Sequence, residues 1–176
     1  MLVMPTFNYS EGRASAFAKA RDRLPMNDNF HLDAVIPDLK SKVKVGILDE
    51  LAGALSQVSN IPKEFLVQTL LEGHSNGGCP AHAGVAIPNC RVGRISDCFI
   101  VFGRSREGVR FETALDNKPV HLFFSFCSPL AEPEMHVRLL GHLSRCLKNG
   151  FFRNQLLKAE SRAEIVALIE PMEKCY

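Results

Sequence analysis

The stretch Gly84-Val85-Ala86-Ile87-Pro88-Asn89-Cys90-Arg91 governs how this chain is interpreted. It follows a loop rich in small residues, begins with a glycine, and makes a short apolar run that ends at a proline. Such a run between turn residues is typical of a buried strand. An amide, a thiol and a guanidinium follow Pro88, and the pattern predicts that all three are presented to a site. The sequence therefore predicts a functional site directly after this strand.

Composition predicts a single globular domain. The chain has 176 residues, of which 46% are hydrophobic, and this is enough for one sizeable core. A net charge of +2 gives no reason to expect a nucleic-acid partner. The start lacks a signal-peptide pattern, and no apolar run reaches the roughly 20 residues of a membrane span. We therefore expect a cytoplasmic protein with no membrane insertion and no cofactor.

The six cysteines are scattered through apolar contexts. Because we expect a reducing compartment, we interpret them as free thiols, most of which fill the core.

Residues 1–30 are predicted to be a loosely ordered N-terminal arm, and residues 31–176 the folded domain. Termini are often poorly ordered, so a solvated tail is the simplest interpretation. The alternative is a contact with a partner through a mild basic cluster, which consists of Arg13, Lys19, Arg21 and Arg23.

Apolar spacing predicts five helices, over Lys42–Val58, Pro62–Glu72, Pro133–Leu147, Gly150–Ala159 and from Ser161 to Ile169. It places Val45, Phe65 and Val137 on buried faces, and Gly73 is expected to end the second helix. Strands are predicted at 84–88, 97–103 and 120–127, with a separate edge segment at 108–111. The apolar strands should be covered on both faces. The fold class is therefore α/β: one domain with a mixed, partly parallel sheet between helical layers.

Five segments in this order resemble the IIA domain of the bacterial sugar phosphotransferase system, of the fructose/mannitol/nitrogen-regulatory type (type 2). They are the helix pair ending at Glu72, the Gly-Val-Ala-Ile-Pro run at 84–88, the Gly-Val-Arg-Phe…Ala-Leu-Asp-Asn-Lys-Pro-Val segment within 108–120, His136-Val-Arg-Leu-Leu, and the C-terminal helices from Phe151 to Ile169. The resemblance implies the type-2 IIA fold, and a family whose members carry a phosphoryl group on a histidine.

Three departures from the family pattern concern the site. The family has a histidine after Ile-Pro, where this chain has Asn89. An imidazole has a basic lone pair that can attack phosphorus, whereas the lone pair of an amide nitrogen is delocalised into its carbonyl. The family also often has an arginine before the glutamate that ends the second helix, and here that position is Leu71. The loop between Glu72 and Gly84 is also about two residues longer than the usual pattern.

Other parts of the site match the family. By the resemblance, His136 corresponds to the second active-site histidine, and Arg91 stands at its usual place. Together with loop amides they could form a residual anion pocket. The simpler alternative is that His136 packs at the start of a helix and Arg91 is solvated.

Two rival hypotheses use the same loop. A displaced histidine, His82 or His74, could serve as the phosphoacceptor, provided that its second ring nitrogen is held. Alternatively, a weak set of soft donors could bind zinc, namely His74, Cys79, His82 and Cys90, although this is not a recognised finger spacing. We expect His31, His121 and His142 to be packing or surface residues.

The sequence therefore favours a phosphorylation-deficient regulatory paralogue, in effect a pseudoenzyme. It would act by binding a protein partner, either a phosphotransferase-system component or a regulated enzyme or transporter.

Overall fold

The computed structural model describes residues 31–75, 81–111 and 118–174. The predicted arm at 1–30 lies outside them. The described part contains five α-helices: α1 (Lys44–Ser59), α2 (Lys63–Ser75), α3 (Pro133–Cys146), α4 (Gly150–Lys158) and α5 (Arg162–Ile169). Six strands accompany them: β1 (Ala34–Ile36), β2 (Ala81–His82), β3 (Val85–Ala86), β4 (Asn89–Val92), β5 (Phe99–Val109) and β6 (Val120–Pro129). No helix among these residues is long and apolar enough to cross a membrane.

Strand β6 is the centre of the sheet. The strand order is β1-β5-β6-β3-β2, and β4 also pairs with β6. One edge of β6 is antiparallel to β5, and the other edge is parallel first to β3 and then to β4. Both edges of β6 are therefore hydrogen-bonded along most of its length.

Alternating side chains of β6 pack into two separate cores. Phe123 and Cys127 join a core that α1 and α2 cover, with Leu51 and Leu66 among its buried members. Leu122, Phe124 and Phe126 point to the opposite face, where they meet buried residues of α3, α4 and α5. Successive strand residues face opposite sides, so an apolar strand of this kind needs cover on both. The predicted α/β fold with a mixed sheet between helical layers is confirmed.

The helix predictions hold to within a few residues, but three of the expected core positions are wrong. Val45, Phe65 and Val137 are 54%, 50% and 67% exposed. Val45 precedes the buried Ile47 by two positions, which is about 200° around a helix, so it faces away from the core. Gly73 does not end α2, because the helix continues to Ser75.

Two strand predictions also need correction. The segment at 108–111 is not a separate edge segment, since β5 continues to Val109, which pairs with Val120 after an irregularity that follows Arg104. The strand predicted at 84–88 is shorter, Val85–Ala86, and a second strand, Asn89–Val92, follows after a break at Ile87-Pro88. Proline has no N–H for a ladder, so the pairing with β6 stops there and resumes at Asn89.

A buried arginine joins the sheet to two other parts of the fold. Arg104 on β5 is only 1% exposed. Its Nε donates to the Pro37 carbonyl at 3.0 Å, and its Nη1 donates to the carbonyls of Leu156 and Ala159 at 2.9 and 2.6 Å. The last carbonyls of a helix lack intrahelical partners, and the guanidinium supplies donors for those at the end of α4.

We predict that Arg104→Met lowers the free energy of unfolding by about 2–4 kcal/mol, because buried carbonyls lose charge-assisted donors while the apolar volume is kept. Urea denaturation followed by circular dichroism measures this. Arg106→Met is the matched control, since Arg106 is exposed on the same strand and should change stability by less than about 0.5 kcal/mol. Equal losses in the two variants would contradict the proposed anchoring role.

Candidate functional site

Strand β4 presents its side chains alternately to the two faces of the sheet. Cys90 and Val92 are buried in the core that α1 and α2 cover. Asn89 and Arg91 therefore point to the other face, where their register partners on β6 are Phe126 and Ser128. Polar side chains of two neighbouring parallel strands thus share one patch of the sheet.

The expected presentation of the Cys90 thiol is wrong. This side chain is 5% exposed, and burial raises the pKa of the Cys90 thiol to about 12. The error arises because residues 89–92 form a strand, not a loop after one. The Cys90 thiol therefore stays protonated at neutral pH and is inert as a nucleophile.

The Asn89 amide is fixed by its own strand. Its Nδ2 donates to the Ile87 carbonyl at 2.7 Å, across Pro88. The backbone carbonyl oxygen of Asn89 lies near the end of α2, where a side-chain carbon on Gly73 would be 3.2 Å from it. The half-buried amide can take part in hydrogen bonds, but it has no basic nitrogen lone pair.

His136, in the first turns of α3, faces the same patch. Its Nδ1 and the Ser128 hydroxyl are 2.7 Å apart, and its ring centroid is 5.1 Å from that of Phe126. Burial, and then the positive charge of Arg91, lower the pKa of His136 below its ordinary value. The imidazole is therefore neutral at physiological pH. Its Nδ1 is held by Ser128, and Nε2 lies on the opposite side of the ring.

The structure thus brings together three of the predicted site residues. Asn89 and Arg91 are neighbours on one face of β4, and His136 is held to that face through Ser128. Arg91 is exposed, yet close enough to His136 for its charge to be felt. The role of these residues, including the residual anion pocket, stays a prediction, and residues 76–80 of the adjoining loop lie outside the described part.

Leu71 and His82 lie apart from this patch. Leu71 is partly buried and packs against the core beneath α1 and α2. His82 is exposed on β2, and its neighbours across the sheet are Val85 and then Leu122. Leu122 precedes Phe126, the partner of Asn89, by four residues, or roughly 13 Å along β6. His82 therefore does not stand at the position of Asn89, and its use as a displaced acceptor stays a prediction.

The remaining alternatives depend partly on residues that the structure does not describe. Cys79 and the side chain of His74 lie outside the described part, so the zinc set and the use of His74 as acceptor stay predictions. Of the other two members of the zinc set, only His82 is exposed, since Cys90 is in the core. Within 31–75, 81–111 and 118–174, no cluster of three or more His, Cys, Asp or Glu residues could hold a metal ion.

Sequence reasoning missed Ser128, which holds His136. A period of two along β6 places Ser128 on the same face as Phe126, and this was the available signal. The parallel pairing that brings β4 beside it is a long-range contact, which no local pattern contains.

We predict that Arg91→Gln raises the pKa of His136 towards its ordinary value, because removal of the nearby positive charge favours the imidazolium, while burial still opposes it. Because the pKa of His136 is lower in the folded chain than in the unfolded chain, the unfolded chain binds the proton more tightly. The free energy of unfolding therefore falls as the pH drops through these two pKa values of His136. The variant should therefore lose less stability in that interval. NMR titration of the His136 ring measures the shift, with Arg94→Gln as an exposed-charge control, and an unchanged pKa would contradict the prediction.

Comparison with known proteins agrees with this architecture. The family profile "Phosphoenolpyruvate-dependent sugar phosphotransferase system, EIIA 2" matches residues 28–172. The fructose-specific EIIABC component of Bacillus subtilis is 30% identical over 138 residues, which are 78% of this chain and 22% of that protein. The fructose-specific EIIA component of Haloferax volcanii is 33% identical over 103 residues, which are 58% of this chain and 66% of that protein. The chain thus spans less than two thirds of either relative.

Solved structures show the same fold. The nitrogen regulatory protein IIA-Ntr of Neisseria meningitidis superposes with a TM-score of 0.70 at 26% identity, covering 77% of this chain and 92% of that one. The mannitol IIA of Escherichia coli superposes with a TM-score of 0.63 at 20% identity, covering 83% and 99%. The profile match spans nearly all of the described residues, and this chain therefore belongs to the EIIA 2 family of the phosphoenolpyruvate-dependent sugar phosphotransferase system.

Proposed function

We propose that this protein is a IIA-type regulatory protein that does not carry a phosphoryl group at its site and acts by binding a protein partner. The observation that carries the proposal is Asn89, whose amide is tied to the Ile87 carbonyl at 2.7 Å on the face where His136 lies. If Asn89 stands at the phosphoacceptor position, as the motif at 84–88 indicates, the nucleophile of the family reaction is missing.

The residues around Asn89 support a site that binds a partner without transferring a phosphoryl group. His136 is held by Ser128, and Arg91 provides an exposed positive charge beside it. These groups can contact an anion or a partner surface, whereas residue 89 itself offers no basic nitrogen. Leu71, whose side chain packs into the core, adds no positive charge from α2.

Exposed apolar side chains at the ends of the same elements suit a protein partner. Leu130, directly after β6, is 56% exposed, and Val137, next to His136, is 67% exposed. The Leu130 N–H donates to the Val92 carbonyl at 2.8 Å, so Leu130 is held at the end of β4. Apolar anchors beside a charged group are typical of protein interfaces.

The partner class follows from the family. A related fold, the mannitol IIA of Escherichia coli, has been solved in complex with phosphorylated IIB, at 19% identity to this chain. A nitrogen regulatory protein of Bradyrhizobium diazoefficiens is 25% identical over 146 residues, which are 83% of this chain and 95% of that protein. We infer that the partner is a phosphotransferase-system component or a regulated enzyme or transporter, bound in one fixed state.

The test of this proposal is a phosphotransfer assay. We predict that incubation with the phosphocarrier protein of the system, its upstream enzyme and labelled phosphoenolpyruvate leaves this chain unlabelled, because Asn89 offers no acceptor nitrogen. A IIA protein that retains the histidine serves as the positive control in the same mixture. Label that disappears in His82→Ala or His74→Ala would overturn the proposal and establish the displaced-histidine carrier instead.

A gain-of-function variant tests whether the rest of the site persists. We predict that Asn89→His acquires measurable label, since the new imidazole would lie beside Arg91 on the face that His136 occupies. Asn89→Gln is the matched control, because it changes the side chain at the same position without adding a basic nitrogen. Absence of label in a folded Asn89→His protein would show that the site as a whole, including Leu71 and the longer loop, no longer supports transfer.

A further inference from the structure

A cavity lies at the opposite end of β6 from Asn89. It has a volume of about 340 Å³ and lies between the turn before β3, the start of β6 and helix α4. Leu122, at its wall, precedes Phe126 by four residues, which places the cavity roughly 13 Å along the strand from the candidate site. This volume is in the range of small-molecule sites.

Two of the four polar side chains that line this cavity are cationic. Lys118 and Arg153 line it together with His121 and Asn154, and none of its described lining residues is acidic. The positive charge of Arg153 in a concave surface favours an anionic ligand. Pro119, Leu122 and Leu157 form the apolar part of the wall.

Arg153 is held in place from behind. Its Nη1 donates to the Leu147 and Lys148 carbonyls at 2.6 and 2.9 Å. Within the described ranges of the chain, its Nη2 and Nε donate no hydrogen bond and no carboxylate pairs with it. A guanidinium fixed through one nitrogen, with the others available, is preorganised for a phosphate or carboxylate.

The imidazole of His121, which lines the cavity, is also held in place. Its Nδ1 lies 3.1 Å from the Ser105 carbonyl oxygen, and because a carbonyl only accepts, Nδ1 carries a proton. Gly108, at φ +79°, lies against the opposite edge of the ring, where a side-chain carbon would come within 2.8 Å of Nε2. His121 is therefore a fixed wall of the cavity.

From this arrangement we propose that the cavity binds a small organic phosphate, with its anionic head against Arg153 and Lys118 and an apolar body along Pro119 and Leu157. The proposal goes beyond the proposed function, because it concerns a separate site and a small-molecule ligand. Its outcome does not depend on whether Asn89 can carry a phosphoryl group.

The test uses the full chain labelled with ¹⁵N and three probes: phenyl phosphate, inorganic phosphate and benzyl alcohol. Phenyl phosphate should give saturable amide shifts at Gly84, Gly150 and Asn154, and should bind at least about tenfold more tightly than either other probe, since each lacks one of the two recognised features. Equal binding of inorganic phosphate would overturn the assignment of an organic ester. Shifts caused equally by benzyl alcohol, or no saturable shift with phenyl phosphate, would overturn the site.

Variants locate the binding. Lys118→Gln should weaken phenyl phosphate binding about tenfold, whereas Lys158→Gln, which removes the same charge from the exposed end of α4, should leave it unchanged. Gly150→Ala places a methyl group 3.5 Å from Arg153 Nη2, an ordinary contact that preserves the fold. It should obstruct the phosphate without lowering the melting temperature. Wild-type affinity in both Lys118→Gln and Gly150→Ala would overturn the proposal.

Discussion

The parallel pairing of β4 with β6 determines where Asn89 and Arg91 of the candidate site lie. This register sets Asn89 beside Phe126 and Arg91 beside Ser128, while it buries Cys90 beside Cys127. A slip of one residue would turn Arg91 into the core and Cys90 outwards, at the cost of burying a guanidinium. Hydrogen bonds bracket the short strand at both ends, from Phe126 N to the Pro88 carbonyl at 3.1 Å and from Leu130 N to the Val92 carbonyl at 2.8 Å.

Polar contacts then position the helices that complete each site. On β6, Ser128 holds His136 and thereby the start of α3. On β5, Arg104 holds the end of α4 through the Leu156 and Ala159 carbonyls. Apolar packing against a sheet tolerates small shifts of a helix, whereas hydrogen bonds to named carbonyls and ring nitrogens are directional. The helix beside the Asn89 patch and the helix beside the cationic cavity are thus both anchored to the two central strands, β6 and β5.

Local signals explain why the helices could be predicted from the sequence. Asn60 ends α1 with φ 60°, in the left-handed conformation that asparagine tolerates, and Ser161 caps α5 by accepting from the Glu164 N–H at 3.1 Å. Both signals are contained in a few consecutive residues. The order of the family motifs was likewise readable along the chain, and the fold that it implied is the one observed.

The site was less predictable because its geometry depends on pairing between distant segments. Four residues, 89–92, are too few for alternation to be recognised as a strand, so Cys90 was expected to be presented although it is buried. Ser128 lies just beyond the predicted end of β6 at Cys127, and its contact with His136 depends on the path from β6 into α3. The cavity at the other end of β6 combines residues from three separate segments, and no local pattern relates them.

The two ends of β6 suggest how a IIA fold could regulate without phosphorylation. In a phosphorylating protein, the added group brings roughly −1.5 to −2 charges to the docking surface and so changes its affinity for partners. If Asn89 stands at the acceptor position, as proposed above, no phosphoryl group adds charge there, and Arg91 beside the neutral His136 keeps its positive charge near neutral pH. A change of state would then have to enter elsewhere. The cationic cavity is suited to that role, because its wall at Leu122 and the strand residues Phe126 and Ser128, which pair with Asn89 and Arg91, belong to one strand whose two edges are paired.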